Sequence, residues 1–139
     1  MNERLFRERR HMRWLDARVG CLGGYRLAFT RAGGRYAGMS APANILEGAG
    51  EAVYGVLYLL PLRKFARLDN SEGKQYEYLW TDVQDADGND VFAVTYKVAC
   101  AAPEGRPSRA YLDLVQEAAR ERGLPADYIS MLDQVQARE

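Results

Sequence analysis

The run Ala52-Val53-Tyr54-Gly55-Val56-Leu57-Tyr58-Leu59-Leu60 is the most apolar stretch of the chain, and it constrains the fold more than any other feature. It is too short to cross a bilayer. Its aromatic and β-branched content predicts a buried strand rather than a helix. Pro61 follows where the first turn of a helix tolerates a missing N–H. Leu62, Phe65, Ala66 and Asp69 then predict a short helix that stops near Asn70-Ser71-Glu72-Gly73. A sheet containing such a strand needs partner strands, and the chain supplies them on both sides.

Upstream, residues 2–12 read as a short polar helix capped by Asn2, with Leu5, Phe6 and Arg9 on one side. Residues 13–22 fit neither period. Tyr25-Arg26-Leu27-Ala28-Phe29 alternates like a strand, and Ala32-Gly33-Gly34 supplies a turn. Residues 35–51, with Gly38, Pro42, Gly48 and Gly50, read as a loop that includes at most a short strand at Ala43–Leu46.

Downstream, Tyr76–Gln84 and Val91–Ala99 are strand-like, and Asp85-Ala86-Asp87-Gly88-Asn89-Asp90 between them predicts a hairpin. After Pro103-Glu104-Gly105-Arg106-Pro107, Ser108 is placed to cap a helix carrying Tyr111, Leu114, Val115, Ala118 and Arg122 on one face. Gly123 ends that helix, and Pro125 opens another with Tyr128, Ile129, Leu132 and Val135. The expected architecture is α+β: one domain over residues 1–139, with a small mixed, mainly antiparallel sheet and helices packed around it.

Composition then narrows the chemistry. Lys+Arg 19 against Asp+Glu 19 gives a net charge of zero, which argues against nucleic-acid and anionic-membrane partners. The six arginines among the first eighteen residues are half offset by Glu3, Glu8 and Asp16, so they read as a solvated helix face rather than an RNA-binding arm. No apolar run is long enough to span a membrane, and the Met1-Asn2-Glu3-Arg4-Leu5 start is no signal peptide; cytoplasm is the expected location.

The single histidine, His11, reads as a surface residue, so any histidine-centred triad would rest on it alone. Cys21 and Cys100 lack zinc-ligand spacing and read as reduced, buried thiols. Carboxylates and tyrosines are left to carry any reaction. Glu72 leaves a helix end just before a strand with Tyr76, Tyr78 and Trp80. Two readings of it stand side by side. It is a solvated turn carboxylate, or it points into a pocket lined by those aromatic residues.

Five segments in order resemble the γ-glutamylcyclotransferase (AIG2-like) family, from about residue 1 to residue 135. Gly24-Tyr25-Arg26-Leu27-Ala28-Phe29 matches an early strand, and Val53-Tyr54-Gly55-Val56-Leu57-Tyr58 matches the strand written V-W/Y-G-V-hydrophobic-Y/W. Leu68-Asp69-Asn70-Ser71-Glu72-Gly73 matches L-D-x-x-E-G. Pro107-Ser108-Arg109-Ala110-Tyr111 and Gly123-Leu124-Pro125-Ala126-Asp127-Tyr128 match P-S-x-x-Y and G-L-P-x-x-Y.

The resemblance implies a barrel-like sheet flanked by helices and an enzyme that releases 5-oxoproline from a γ-glutamyl amide. It implies Glu72 as the catalytic acid/base, and Tyr111, Tyr96 and Tyr78 as substrate-binding residues. The implied chemistry needs no metal, nucleophilic side chain or cofactor. Its partner is a small γ-glutamyl compound whose leaving group the sequence does not specify. Tyrosines around Glu72 would raise its pKa by desolvation, toward that of a two-way proton carrier.

The family begins with a strand ending in a Tyr-Gly-Ser-Asn-like segment, whose backbone N–H groups hold substrate and developing oxyanion. Here Met1-Asn2-Glu3-Arg4-Leu5 aligns with the residues just after it. Two expectations follow: the start lies upstream and Met1 is internal, or this form has lost activity and serves as a ligand- or partner-binding relative. Retention of Glu72 and Tyr111 favours the first. On either, the 139-residue form alone is expected to turn over slowly, and an exposed sheet edge would offer a route to a homodimer.

Overall fold

The computed structural model describes residues 16–30, 41, 43–61, 76–98 and 104–138. The N-terminal helix expected at 2–12, the turn at 32–34 and the helix after Pro61 lie outside them, as do His11, Cys100 and Glu72.

Four strands form one sheet in the order β2-β1-β3-β4, with every pair antiparallel. Strand β1 (Asp16–Phe29) ladders along β2 (Ala43–Leu59) from Asp16↔Leu59 to Phe29↔Ala43. Strand β3 (Tyr76–Asp85) and β4 (Asp90–Val98) form the expected hairpin, from Tyr76↔Val98 to Gln84↔Asp90. The two ladders meet only at Gly20↔Asp85 and Cys21↔Gln84, so the sheet is free to curl about that junction. At the far end of the curl, Asn44 Oδ1 accepts the Val98 N–H at 3.0 Å, bringing the start of β2 to the end of β4. The sheet is barrel-like without a closing ladder among the described residues. Its inner face encloses a cavity of about 140 Å³ whose walls include Gly20, Leu22, Ile45, Leu57, Val83 and Ala93. Gly20 is fixed by space. A Cβ there would sit 2.8 Å from Val83 Cγ1 and 2.9 Å from Leu57 Cγ.

Residues 47–51 are a correction to the sequence reading: the short strand allowed at Ala43–Leu46 runs on through the predicted loop as the first half of β2. The ladder breaks between Gly23↔Ala52 and Tyr25↔Glu47, where Gly24 and Gly50 adopt φ of 82° and 76°. Glycines that look like loop punctuation build a bulge inside a continuous ladder. The run 52–59 is strand, as expected. Most of its side chains are half-buried and Leu59 is exposed, because β2 has a ladder partner on one side only among the described residues.

The hairpin turn is held by Asp85. Its Oδ1 accepts the backbone N–H groups of Asp87 and Asn89 at 3.0 and 2.9 Å, and Arg18 reaches its Oδ2 at 3.5 Å. The Asn89 and Asp87 N–H groups and the Arg18 charge outweigh burial and hold this carboxyl below the usual carboxylate range.

Helix α1 (Arg109–Arg122) begins where Ser108 Oγ accepts the Tyr111 N–H at 3.2 Å, and stops at Gly123, whose φ of 70° suits glycine. Helix α2 (Ala126–Asp133) follows Pro125. Val135, expected within it, lies beyond its end. The buried residues of α1 are Leu112, Ala118 and Ala119; the expected Tyr111, Leu114 and Val115 are half-buried flanks. Arg122 does share that face, with its guanidinium 5.8 Å from the Tyr58 ring centroid. Two clusters hold helices to sheet. Ala119, Leu124, Tyr128 and Leu132 pack with Val19, Leu27 and Tyr54; Phe29, Ala41 and Leu112 pack with Ala43 and Tyr111.

Candidate active site

Register places one end of the curled sheet in common: Phe29↔Ala43 closes the first ladder and Tyr76↔Val98 opens the second, with Asn44 bonded to Val98 between them. The candidate tyrosines gather toward this end. Tyr78 and Tyr96 are directly opposite across β3 and β4, and their ring centroids lie 5.5 Å apart at 47°. Tyr96 is half-buried with its hydroxyl oxygen fully buried, whereas Tyr78 is 48% exposed. The pair therefore runs from interior to solvent.

Tyr111 comes from the first turn of α1. Its ring packs edge-on against Phe29 at 6.3 Å, and its Oη accepts the Ala43 N–H at 3.1 Å. The bond spends a lone pair and leaves the phenol proton available to an acceptor. Tyr111 is thus tied to the start of β2, one residue from the Asn44 that reaches β4. The structure brings Tyr78 and Tyr96 into contact with each other and joins Tyr111 to the same end through β2.

Of the expected pocket lining, Tyr78 and Trp80 share a face of β3 by alternation and both are exposed. Trp80 is 55% exposed and stacks on Phe92, on the same face of the hairpin as Tyr78 and Tyr96, and Tyr78 is half open to solvent. Strand alternation alone cannot tell which face a helix covers. The side chain of Tyr76 lies outside the described residues. In sequence, Glu72 falls between β2 and β3, just ahead of Tyr76.

Two polar residues at this end escaped sequence reasoning. Asn44 is 6% exposed, and a lone amide in the apolar segment Ala43-Asn44-Ile45-Leu46 was the available signal. Thr30, just past β1, is 1% exposed, and its Oγ1 has no hydrogen-bond partner among the described residues. Away from this end, Cys21 faces Tyr54 across β1 and β2, and Tyr54 meets the Tyr128 ring at 5.2 Å. Hydrogen bonding to Cys21 raises the Tyr54 phenol, and burial pushes Tyr128 up to about 12. Cys21 is free and half-buried rather than fully buried.

Comparison with known proteins fits this architecture. The sequence profile of the AIG2-like family matches residues 52–132, more than half of the chain. A search of curated protein sequences finds no match. A solved gamma-glutamyl cyclotransferase superposes with a TM-score of 0.85 at 23% identity, covering 99% of this chain and 86% of its own. The human protein LOC79017, described as uncharacterized, gives 0.81 at 23% identity over 89% of this chain and 78% of its own. YkqA from Bacillus subtilis gives 0.71 at 21% identity over 90% and 47%. No helix among the described residues is long and apolar enough to cross a membrane. With the profile spanning the second half of β2, the β3–β4 hairpin and the C-terminal helices, the chain belongs to the AIG2-like family and has the fold of gamma-glutamyl cyclotransferase.

Proposed function

We propose that this protein is a γ-glutamylcyclotransferase: it releases 5-oxoproline from a γ-glutamyl amide. The α-amine of the glutamyl unit attacks its own γ-carbonyl carbon, closing a five-membered ring. The old amide C–N bond breaks and the free amine departs. Since the attack is intramolecular, the protein's tasks are to fold the substrate and to move protons. Glu72 as carboxylate takes a proton from the α-ammonium, and as the acid it returns that proton to the departing amine. The second proton, which the attacking nitrogen sheds as it becomes the ring N–H, passes to the released amine, which leaves as an ammonium. Tyr78 and Tyr96 flank the substrate, and the Tyr111 phenol donates to it.

The observation that supports this reading most is the Tyr78–Tyr96 contact on the strand that follows the Glu72 segment in sequence, with Tyr111 bonded to the start of β2 toward the same end of the sheet, in a chain of this family. The Tyr111 hydroxyl is oriented by the Ala43 N–H, so its proton is aimed without cost at the moment of binding. The test is 5-oxoproline release from γ-glutamyl amines and γ-glutamyl amino acids. Turnover that Glu72→Gln abolishes while substrate binding persists supports the assignment. Turnover unchanged in Glu72→Gln overturns it.

A further inference from the structure

The start of β2 holds a side-chain amide whose donor end is unused. Asn44 is 6% exposed, in the apolar segment Ala43-Asn44-Ile45-Leu46. The Val98 N–H points at one atom of its amide at 3.0 Å, and only the oxygen can accept it. The nitrogen, Nδ2, therefore diverges from β4 with two N–H groups, and neither has a partner among the described residues. Unlike the Thr30 hydroxyl oxygen at this end, Nδ2 is not sealed off. A nearly buried amide with its donors unmet costs free energy, and a bound acceptor would recover it. The neighbouring residue repeats the pattern. The Ala43 N–H donates to Tyr111 Oη at 3.1 Å, which leaves the phenol proton for an acceptor. Two consecutive residues of β2 thus fix two neutral donors at one end of the sheet, and Tyr96 lies two residues along β4 from Val98.

A γ-glutamyl amide offers three polar groups around its reacting centre. Its α-ammonium is itself a donor and belongs with Glu72. Its α-carboxylate is a permanent anion, which would lose more hydration than one neutral amide returns. Its γ-carbonyl oxygen is neutral in the ground state and gains charge only as the α-amine adds. Fixed neutral donors then stabilise the transition state more than the substrate. We propose, on the cyclotransferase reading of this chain, that Asn44 is a catalytic residue whose Nδ2 donates to the γ-carbonyl oxygen. As the amine nitrogen bonds to the carbonyl carbon, the C=O π pair moves onto oxygen, and the Asn44 N–H groups hold that charge. The pair returns as the C–N bond to the leaving amine breaks, and Asn44 neither gives nor takes a proton. Its bond to Val98 sets the amide before substrate arrives, so its dipole needs no reorientation during the reaction.

Asn44→Asp tests this, because it keeps an oxygen for the Val98 N–H and removes both donors. Steady-state 5-oxoproline release from a γ-glutamyl amide should fall in kcat by roughly a hundredfold or more, with KM changed by less than about threefold. Hydrogen exchange should still show the Val98 amide protected, which a loss through misfolding would not. A second measurement needs no variant. In the wild-type chain, titration with 5-oxoproline, which retains the carbonyl, should shift the side-chain NH2 resonances of Asn44. Turnover retained in folded Asn44→Asp, or a loss carried by KM alone, overturns the role of Asn44 and leaves the cyclotransferase reading standing. So does 5-oxoproline that binds without moving the Asn44 resonances. A kcat loss that comes with loss of Val98 protection, the Asn44 resonances unmoved, makes Asn44 structural and overturns its catalytic role. A wild-type chain that neither binds nor cleaves γ-glutamyl amides overturns both readings.

Discussion

Tyr111→Phe isolates one atom that couples the candidate site to the fold. The substitution keeps the ring and its edge contact with Phe29 but removes the oxygen that accepts the Ala43 N–H at 3.1 Å. A part-buried backbone donor is left without that partner. A neutral hydrogen bond is worth about 1 kcal/mol net, and an orphaned donor costs up to about 3. Partial access to water places the expected loss at about 1–2 kcal/mol. For a chain of this length that lowers the thermal midpoint by roughly 3–8 °C. Tyr111→Ala, which also vacates a half-buried ring position, should cost about 3 kcal/mol. Urea or thermal denaturation measures both. Hydrogen exchange supplies the local check, with protection of the Ala43 amide falling roughly fivefold or more in Tyr111→Phe. If that variant melts with wild type and the Ala43 amide keeps its protection, Tyr111 does not anchor β2, and the argument that its proton is pre-aimed fails with it.

Other outcomes follow from the packing and the titrating groups. Gly20→Ala should destabilise by about 1–3 kcal/mol in denaturant titration, because its methyl would meet Val83 and Leu57 inside contact distance. Leu132→Ala, at a position 1% exposed in the helix–sheet core, should cost about 2–5 kcal/mol. Because the Asp85 carboxyl is depressed in the folded state, its contribution is full above its unfolded pKa and is lost as pH falls through the folded one. The melting difference between wild type and Asp85→Asn should therefore shrink below about pH 4. Tyr128 has the opposite sign: its folded pKa of about 12 lies above the ordinary 10. Its contribution is full below about pH 10 and is lost as pH rises through the folded value, so Tyr128→Phe should flatten the alkaline decline in stability.

The hairpin and the two C-terminal helices were legible in the sequence because their signals are local. Period-two alternation, the Asp85–Asp90 turn, Ser108 as cap and Gly123 as stop each act within a few residues of where they are written. Residues 47–51 of β2 were not legible, because their glycines are compensated across the ladder by β1, at a bulge no single segment encodes. The exposure of Trp80 was missed for a related reason: alternation assigns faces, and tertiary packing decides which face is covered. At the candidate site, Tyr78, Tyr96 and Tyr111 were singled out by resemblance, and that Tyr111 falls toward the same end of the sheet follows from its bond to Ala43 and from Asn44 reaching Val98, contacts between distant residues. Glu72 was singled out by motif alone.

The most direct test of the central claim is 5-oxoproline release by the native protein and by its Glu72→Gln variant, assayed side by side on γ-glutamyl amides with substrate binding measured in parallel. The account predicts release by the native protein, a loss of roughly a hundredfold or more in the variant, and binding that survives the substitution. Equal release by the two proteins, or a native protein that neither binds nor cleaves any γ-glutamyl amide, would contradict it.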